Sequence, residues 1–259
     1  SRHVAFELLD HIGVYGGFVG GEDTRDQRNA DPLANATVLS GDLCGDDEPE
    51  RADGGWSENS YTVVASAVVG RCELTDLPCT SIGTTDDCPG GINDYCLPAR
   101  TATTLDGFTV TAANVDDPAQ IGLQGGVRLF TTDASLRNLL VWKNYTECGS
   151  AEYCCGGVCT GDGTVVVRGS WFVRNGGVAL MSDLTNRLTI LGSRFADNLD
   201  GGVVWRASGD HASLLVADSS FVGNGEVGAL TCALRGDGSS EYARAVIQRS
   251  RFDRNWARR

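Results

Sequence analysis

Apolar and polar residues alternate in a repeated pattern through the second half of the chain. The unit is apolar-x-apolar-x-x-Ser-x-Phe-x-x-Asn, so that Leu188 and Ile190 precede one Phe and Asn198 follows it. The four clear copies are centred on Phe172, Phe195, Phe221 and Phe252. Two weaker copies come earlier, at 136–144 and 105–113. Because the alternation has a period of two residues, the pattern predicts short β-strands rather than helices.

The spacing of the copies indicates a solenoid. Successive copies lie between 23 and 31 residues apart, which excludes a rigid two-helix repeat and is typical of coils with loops of different length. A Gly or Asp, such as Gly192 or Asp218, permits a bend between two strands of each unit. A third short strand follows most Asn positions, as at 177–180 and 202–205. Three strands per turn predict a parallel β-helix.

Stacking of the coils would place equivalent residues in columns about 4.8 Å apart. The four Phe residues of the repeat are then predicted to form an interior aromatic column. The Asn residues are predicted to form an amide ladder at a buried turn, where backbone groups need hydrogen-bond partners. The members of this ladder are Asn144, Asn175, Asn198, Asn224 and Asn255.

The first part of the chain has shorter and less regular apolar stretches. We interpret residues 1–100 as irregular coils and residues 101–259 as regular coils of a single domain over 1–259. Two Cys-rich segments, 71–100 and 145–163, are predicted to be loop insertions that disulfides would stabilise.

The chain contains ten cysteines, and their even number favours disulfides and an oxidising compartment. The candidates within the two insertions are Cys72, Cys79, Cys88, Cys96, Cys148, Cys154, Cys155 and Cys159. Zinc is the alternative for the last three, but their spacing is not a paired CxxC pattern and no His lies nearby. Several coils separate Cys44 from Cys232, so these two are predicted not to be bonded to each other. For Cys232, a buried free thiol and a bond to another cysteine both stay open.

The net charge is −13, and it is unevenly distributed. Residues 1–118 carry 21 acidic and 6 basic side chains, which argues against nucleic acid as a partner. No apolar stretch is long enough for a membrane span, so no membrane insertion by this segment is expected. The last coil is basic, with Arg244, Arg249, Arg251, Arg254, Arg258 and Arg259. Opposite charges at the two ends suggest axial stacking on further copies or on further coils of a longer parent chain, with a merely solvated basic end as the alternative.

The S-x-F-x-x-N units, followed by Gly-Gly-Val, resemble the FxxN and GGA[ILV] repeats of chlamydial polymorphic outer-membrane proteins and of related bacterial surface β-helix proteins. The segment 13–42 is similar to the opening section of large secreted β-helix proteins of that group. The resemblance implies a right-handed coil, export, and surface display or adhesion on surface glycans or proteins. The predicted fold is therefore an all-β, right-handed parallel β-helix, a solenoid like that of pectate lyases. The ten cysteines depart from many bacterial members.

A structural or adhesive protein of the extracellular space or cell surface is the favoured function, and no enzyme activity or cofactor is expected. A polysaccharide-binding or polysaccharide-degrading β-helix is the alternative, since lyases and hydrolases share this fold. The chain offers few candidate catalytic groups for it: the pair at 116–117, Asp197, Asp200 and His211. Calcium is an alternative at an acidic loop whose candidates are Asp42, Asp46, Asp47 and Glu48, although no EF-hand pattern is present and a solvated turn is favoured.

Overall fold

The protein is a parallel β-helix, which confirms the predicted fold class. A computed structural model describes residues 1–47, 56–66, 70–72, 74–75, 78–79, 88–90, 96–98, 101–117, 125–130, 132–146, 155–183, 187–208, 212–235 and 243–256. Three sheets of seven strands each run along the helix, and every pair of neighbouring strands within them is parallel. Each of the seven turns of the coil gives one strand to each sheet.

The first sheet contains β1 (Phe6–Leu8), β4 (Val64–Ser66), β11 (Val127–Leu129), β15 (Cys155–Thr160), β18 (Val178–Asp183), β21 (Gly201–Ser208) and β24 (Leu230–Arg235). The second contains β2 (Ile12–Tyr15), β8 (Thr101–Asp106), β12 (Thr132–Arg137), β16 (Thr164–Arg168), β19 (Arg187–Leu191), β22 (Ser213–Ala217) and β25 (Arg244–Gln248). The third contains β3 (Val38–Ser40), β9 (Thr109–Thr111), β13 (Leu140–Trp142), β17 (Trp171–Val173), β20 (Arg194–Ala196), β23 (Ser220–Val222) and β26 (Arg251–Asp253).

Smaller elements lie on the loops. A parallel pair, β10 (Asn114–Val115) and β14 (Tyr145–Thr146), extends two neighbouring turns beyond the third sheet. An antiparallel sheet is formed by β5 (Gly70–Cys72), β6 (Pro78–Cys79) and β7 (Cys96–Pro98). Two single 3-10 turns occupy Arg25–Gln27 and Trp56–Glu58.

The core is a continuous apolar column inside the coil. The alternation read from the sequence sets which side chains enter it: Leu188 and Ile190 are fully buried, whereas Thr189 between them faces outward. The register pairs Leu188 with Leu214 and Ile190 with Val216, so every coil adds like residues to the same column. Burial of these columns supplies the main stabilisation, at roughly 25 cal/mol per Å² of apolar surface.

The four Phe residues form a stack along the helix axis. Ring centroids are 4.6 Å apart for Phe172 and Phe195, and 4.8 Å apart for each of the next two pairs. The rings are nearly parallel, with interplanar angles of 7° or less. The first three are completely buried, whereas Phe252 is 43% exposed because no described residue packs over its outer face.

The Asn residues form a ladder in which each interior side chain makes hydrogen bonds to the coils on both sides. Asn175 Nδ2 donates to Asn198 Oδ1 at 2.9 Å and to the carbonyl oxygen of Val141 at 3.1 Å. Asn198 Oδ1 also accepts the backbone N–H of Asn175 at 3.1 Å. The same pattern links Asn144 to Asn175, Asn198 to Asn224, and Asn224 to Asn255. Since the amide has two donors and two acceptor sites, each interior Asn is fully satisfied while buried.

The Ser of the repeat has a similar role at the other bend. Ser193 Oγ donates to the carbonyl oxygen of Leu191 at 3.0 Å and accepts the N–H of Ser170 at 3.2 Å. Each bend also needs a residue in the left-handed region. Gly192 meets this need between the second and third sheets with φ of 55°. The residue before each Asn meets it too, although it is often not glycine: Arg174 has φ of 53° and Asp197 has φ of 54°. The repeat pattern predicted a turn at the Asn, but it did not reveal that the residue before the Asn adopts this conformation.

The long connection between β2 and β3 is fastened to the coil by a buried ion pair. Arg28 Nη2 lies 2.7 Å from Asp106 Oδ2, and both side chains are less than a tenth exposed. Arg28 Nη1 also donates to the carbonyl oxygen of Gly16 at 2.7 Å. The connection therefore packs closely on the bend at Gly107, whose missing Cβ leaves room for the guanidinium.

The prediction that all of 145–163 is a loop insertion is wrong. Cys155–Thr160 is not a loop but the buried strand β15 of the first sheet. The strand contains two glycines, which are uncommon in strand interiors. A side chain at Gly157 would clash with the backbone oxygen of Ala179, so close packing of the strands requires glycine there. The register shifts between Cys155 and Val158, which marks a bulge. The insertion at 71–100 contains the antiparallel sheet of β5, β6 and β7.

Two disulfides are described, one within each predicted Cys-rich segment: Cys72–Cys88 and Cys155–Cys159. Cys96 is also disulfide-bonded and completely buried. Cys44 and Cys232 are both free and exposed, which confirms that they are not bonded to each other. For Cys232 the free thiol is confirmed, whereas its burial and the alternative of a bond are wrong. The side chain of Cys79, and Cys148 and Cys154 altogether, lie outside the described residues.

Phe195→Ala should lower the free energy of unfolding by about 3–5 kcal/mol, since it removes the centre of the ring stack and leaves a cavity. Equilibrium denaturation in guanidinium measures the loss. Thr189→Ala, on the outer face of the preceding strand β19, serves as the control and should change the free energy of unfolding by less than about 0.5 kcal/mol. A loss below about 1 kcal/mol for Phe195→Ala would contradict the stacked interior.

Candidate functional site

Two of the candidate catalytic acids, Asp116 and Asp197, lie far apart along the coil. Asp116 follows β10 and forms an ion pair with Arg2 Nη2 at 2.7 Å. Asp197 follows β20, three turns of the coil away, which corresponds to about 14 Å along the axis. Paired carboxylates of glycosidases are at most about 9.5 Å apart, so Asp116 and Asp197 do not form such a pair. His211 lies outside the described residues.

Asp200 is the most perturbed acid of this group. It lies in the turn before β21, and burial raises its pKa to about 6, with a further contribution from the negative charge of Glu226. Its folded pKa therefore lies above the ordinary value of 3.8. The folded state then binds a proton more tightly than the unfolded state between pH 4 and pH 6, so the free energy of unfolding falls as the pH rises through this window.

Asp200→Asn should remove this fall in the free energy of unfolding between pH 4 and pH 6. We expect the variant to be more stable than the parent chain by about 1–2 kcal/mol at pH 7.5, with the difference vanishing near pH 4. Denaturation curves across this range give the measurement. Asp197→Asn, which removes one exposed charge on the same turn, is the matched control. Equal effects of Asp200→Asn at pH 4 and pH 7.5 would contradict a raised pKa.

An aromatic groove runs along the outer face of the third sheet. Trp142 on β13 and Trp171 on β17 lie in it on adjacent strands, with Leu33 from the connection between β2 and β3 at its edge. The guanidinium of Arg194 lies over the ring of Trp171 at 5.8 Å, and Arg174 and Asp197 also contribute. The groove has a volume of about 420 Å³ and is open to solvent. We call this surface, lined by Leu33, Leu140, Trp142, Trp171, Val173, Arg174, Arg194, Ala196 and Asp197, the tryptophan groove.

The repeat pattern did not predict this groove, because it singles out the inward Phe of each unit. The signal was present: Trp171 directly precedes Phe172, and Trp142 directly follows Val141, at positions that alternation places on the outside. Trp171 is 39% exposed, so its ring is accessible from solvent.

A second cavity, of about 200 Å³, adjoins the groove at Trp142. Trp56, Trp142 and Tyr145 form its aromatic wall, and the centroids of Trp56 and Tyr145 are 6.0 Å apart. Lys143 Nζ lies 4.6 Å from the centroid of the Trp142 ring. Asp42, Asp47 and Asn59 also line the cavity, so its lining is both aromatic and acidic.

The structure regroups the acidic loop that the sequence indicated. Asp42 and Asp47 approach Glu58, and carboxylate oxygens of the three lie within 4.8 Å of one another. Asp46 is exposed and belongs instead to a group with Cys44 and Glu58. Glu48 lies outside the described residues. Glu58 and Asn59 were not predicted, since they follow Asp47 by more than ten residues and no spacing motif connects them.

Comparison with known proteins places no family name on this fold: no protein-family model, curated protein or solved structure matches the chain. Among the residues that the structure describes, no helix is both long and apolar enough to cross a membrane. The disulfides indicate folding in an oxidising environment. The class of protein is thus defined by the fold alone, as a disulfide-containing parallel β-helix.

Proposed function

We propose that this protein is an adhesive β-helix of the extracellular space or cell surface that binds acidic polysaccharides in its tryptophan groove. The observation that carries the proposal is the pair of outward tryptophans, Trp142 and Trp171, bordered by Arg174 and Arg194. Flat aromatic faces stack on the apolar faces of sugar rings, and the neighbouring polar groups fix orientation.

The arginines favour a carboxylated sugar. Arg174 and Arg194 are exposed, and Arg194 is already oriented by its contact with Trp171. A planar guanidinium pairs with a carboxylate through two parallel hydrogen bonds, which a neutral glycan does not offer. A groove open along the sheet accepts an extended chain rather than a small enclosed ligand. These features support retention of a uronic-acid polymer.

Binding without cleavage distinguishes adhesion from the enzyme alternative. Asp116 lies three turns of the coil from Asp197, and none of Asp116, Asp197 or Asp200 lines the cavity beside Trp56. Asp197 is at the rim of the tryptophan groove without an acidic partner among the residues that line it. These positions favour retention over hydrolysis or elimination.

Trp171→Ala should lower the affinity for alginate or pectate by at least tenfold, because it removes the stacking surface. Affinity electrophoresis in gels containing each polymer gives the measurement, with reducing-end and unsaturated-uronate assays on the same samples. Trp256→Ala is the matched control, since Trp256 is 51% exposed and is not among the residues that line the groove. Unchanged retention of Trp171→Ala would contradict the proposal, and product release abolished by Asp200→Asn would favour the enzyme.

The two ends of the coil support a second proposal, that copies of the chain stack axially. Inward-facing residues of the first coil, such as Phe6 and Ile12, are 54% and 47% exposed, and Ile247 in the last described coil is 49% exposed. Residues 1–47 carry nine acidic and three basic side chains, whereas residues 243–256 carry four arginines and one aspartate. Asp218 and Asp253 neutralise part of the basic end through Arg249, Arg251 and Arg254. A head-to-tail contact of this kind does not close on itself and would generate a fibre.

Ile247→Asp should abolish concentration-dependent association, since it buries a charge in the proposed end-to-end contact. Sedimentation velocity at low and high salt measures association, which should weaken as salt screens the opposite charges. Thr189→Asp, which places the same charge on the side of the coil, is the control. A chain that stays monomeric at every concentration and at low ionic strength would contradict stacking.

A further inference from the structure

We propose that the loop following β3 holds one calcium ion, bound by the carboxylates of Asp42, Asp47 and Glu58 and by the amide oxygen of Asn59. The proposal rests on four side chains outside the tryptophan groove, so it stands or fails independently of polysaccharide binding.

The spacing of the oxygens suits a single ion. Carboxylate oxygens of Asp42, Asp47 and Glu58 all lie within 4.8 Å of one another. Calcium binds oxygen at about 2.3–2.6 Å, so ligands on opposite sides of one ion are about 5 Å apart. One ion between the three carboxylates therefore reaches all of them without rearrangement of the loop.

Three buried oxygens here have no hydrogen-bond partner among the residues that the structure describes: Asp47 Oδ1, Glu58 Oε1 and Asn59 Oδ1. Asn59 is only 1% exposed, and its Nδ2 donates to Asp47 Oδ2 at 2.9 Å. Since Oδ1 is bonded to the same carbon as Nδ2, the unpartnered oxygen lies beside the Asp47 carboxylate. Buried acceptors without donors are costly, and native proteins satisfy them with water or an ion. All three are acceptors, and a cation satisfies several acceptors at once.

The local charge also calls for a cation. Among the described residues, no arginine or lysine forms an ion pair with Asp42, Asp47 or Glu58. The carboxylate oxygens of Asp42, Asp47 and Glu58 lie within 4.8 Å of one another, so their negative charges repel. A divalent ion would remove this repulsion.

The ligand atoms favour calcium over a softer metal. All four proposed ligands are oxygens, which hard cations prefer, and side chains from separate parts of a loop suit the variable geometry of calcium better than the strict octahedron of magnesium. Cys44 belongs to the neighbouring group with Asp46, but it is exposed. Zinc binding through Cys44 is thus a separate outcome for the test.

The ion would connect two parts of the chain that also shape the adjoining cavity. Asp42 and Asp47 precede residues 48–55, and Glu58 and Asn59 follow them. Glu58 shares a 3-10 turn with Trp56, whose ring forms part of the aromatic wall. Calcium at this site therefore positions Trp56 against Tyr145, 6.0 Å away.

Calcium titration of the full chain by calorimetry tests the proposal, after removal of metal with a chelator. We expect one site per chain, with the affinity lowered at least tenfold in Asp47→Asn and in Asn59→Ala. Asp23→Asn, an exposed acid with the same loss of charge, is the control and should bind like the parent chain. Cys44→Ser should also leave calcium binding unchanged.

Terbium luminescence excited through tryptophan supplies a second readout. Trp56→Phe should reduce the emission without lowering calcium affinity, which places the ion beside this ring. Absence of binding at millimolar calcium, equal loss in Asp23→Asn, or zinc binding that requires Cys44 while calcium does not bind would overturn the proposal. Circular dichroism of each variant shows whether the β-helix is retained, and polysaccharide retention in chelator tests the tryptophan groove separately.

Discussion

The asparagine ladder is the constraint on which the rest of the structure depends. Each interior Asn lies at a turn with no access to water, and its amide must find two donors and two acceptors there. Only the two adjacent coils, at the spacing of parallel strands, offer them: Asn198 Nδ2 donates to Asn224 Oδ1 on the next coil at 2.8 Å and to the carbonyl oxygen of Phe172 on the preceding coil at 3.0 Å. This requirement fixes the register between coils, and the register in turn places Phe on Phe and Leu on Leu.

The ladder also explains why the bends tolerate side chains in the left-handed region. Arg174 and Asp197 adopt positive φ directly before Asn175 and Asn198, at a conformational cost of about 1 kcal/mol or more each. The hydrogen bonds of the following amide outweigh that cost. With the interior specified in this way, the outer faces and the connections are free to vary, and the tryptophan groove and the acidic loop occur on them.

Much of the fold was predictable because it repeats. The period of two, the Ser, Phe and Asn positions and the bends at Gly192 and Asp218 all follow from one frame, and equivalent residues of adjacent coils must stack. The frame failed where local composition was misleading. The Cys-rich composition of 145–163 suggested a loop, yet Gly156 and Gly157 lie in the buried strand β15, where only glycine fits against the neighbouring backbone. Residues 1–100 showed the strands without their register, since irregular loops separate them.

The sequence by itself determined the interior: which side chains enter the core, and that the coils stack in parallel, because alternation and the repeated Asn leave a single way to bury both. Only the tertiary structure decided the surface. It brought Trp142 and Trp171 together on adjacent strands, and it placed Glu58 and Asn59 beside Asp42 and Asp47. Such groupings depend on the path of loops whose lengths follow no period, so no pattern along the chain records them. The physical reason is that the side chains of the core must recur with the period of the coil, whereas a binding site requires only that its residues lie close together in space.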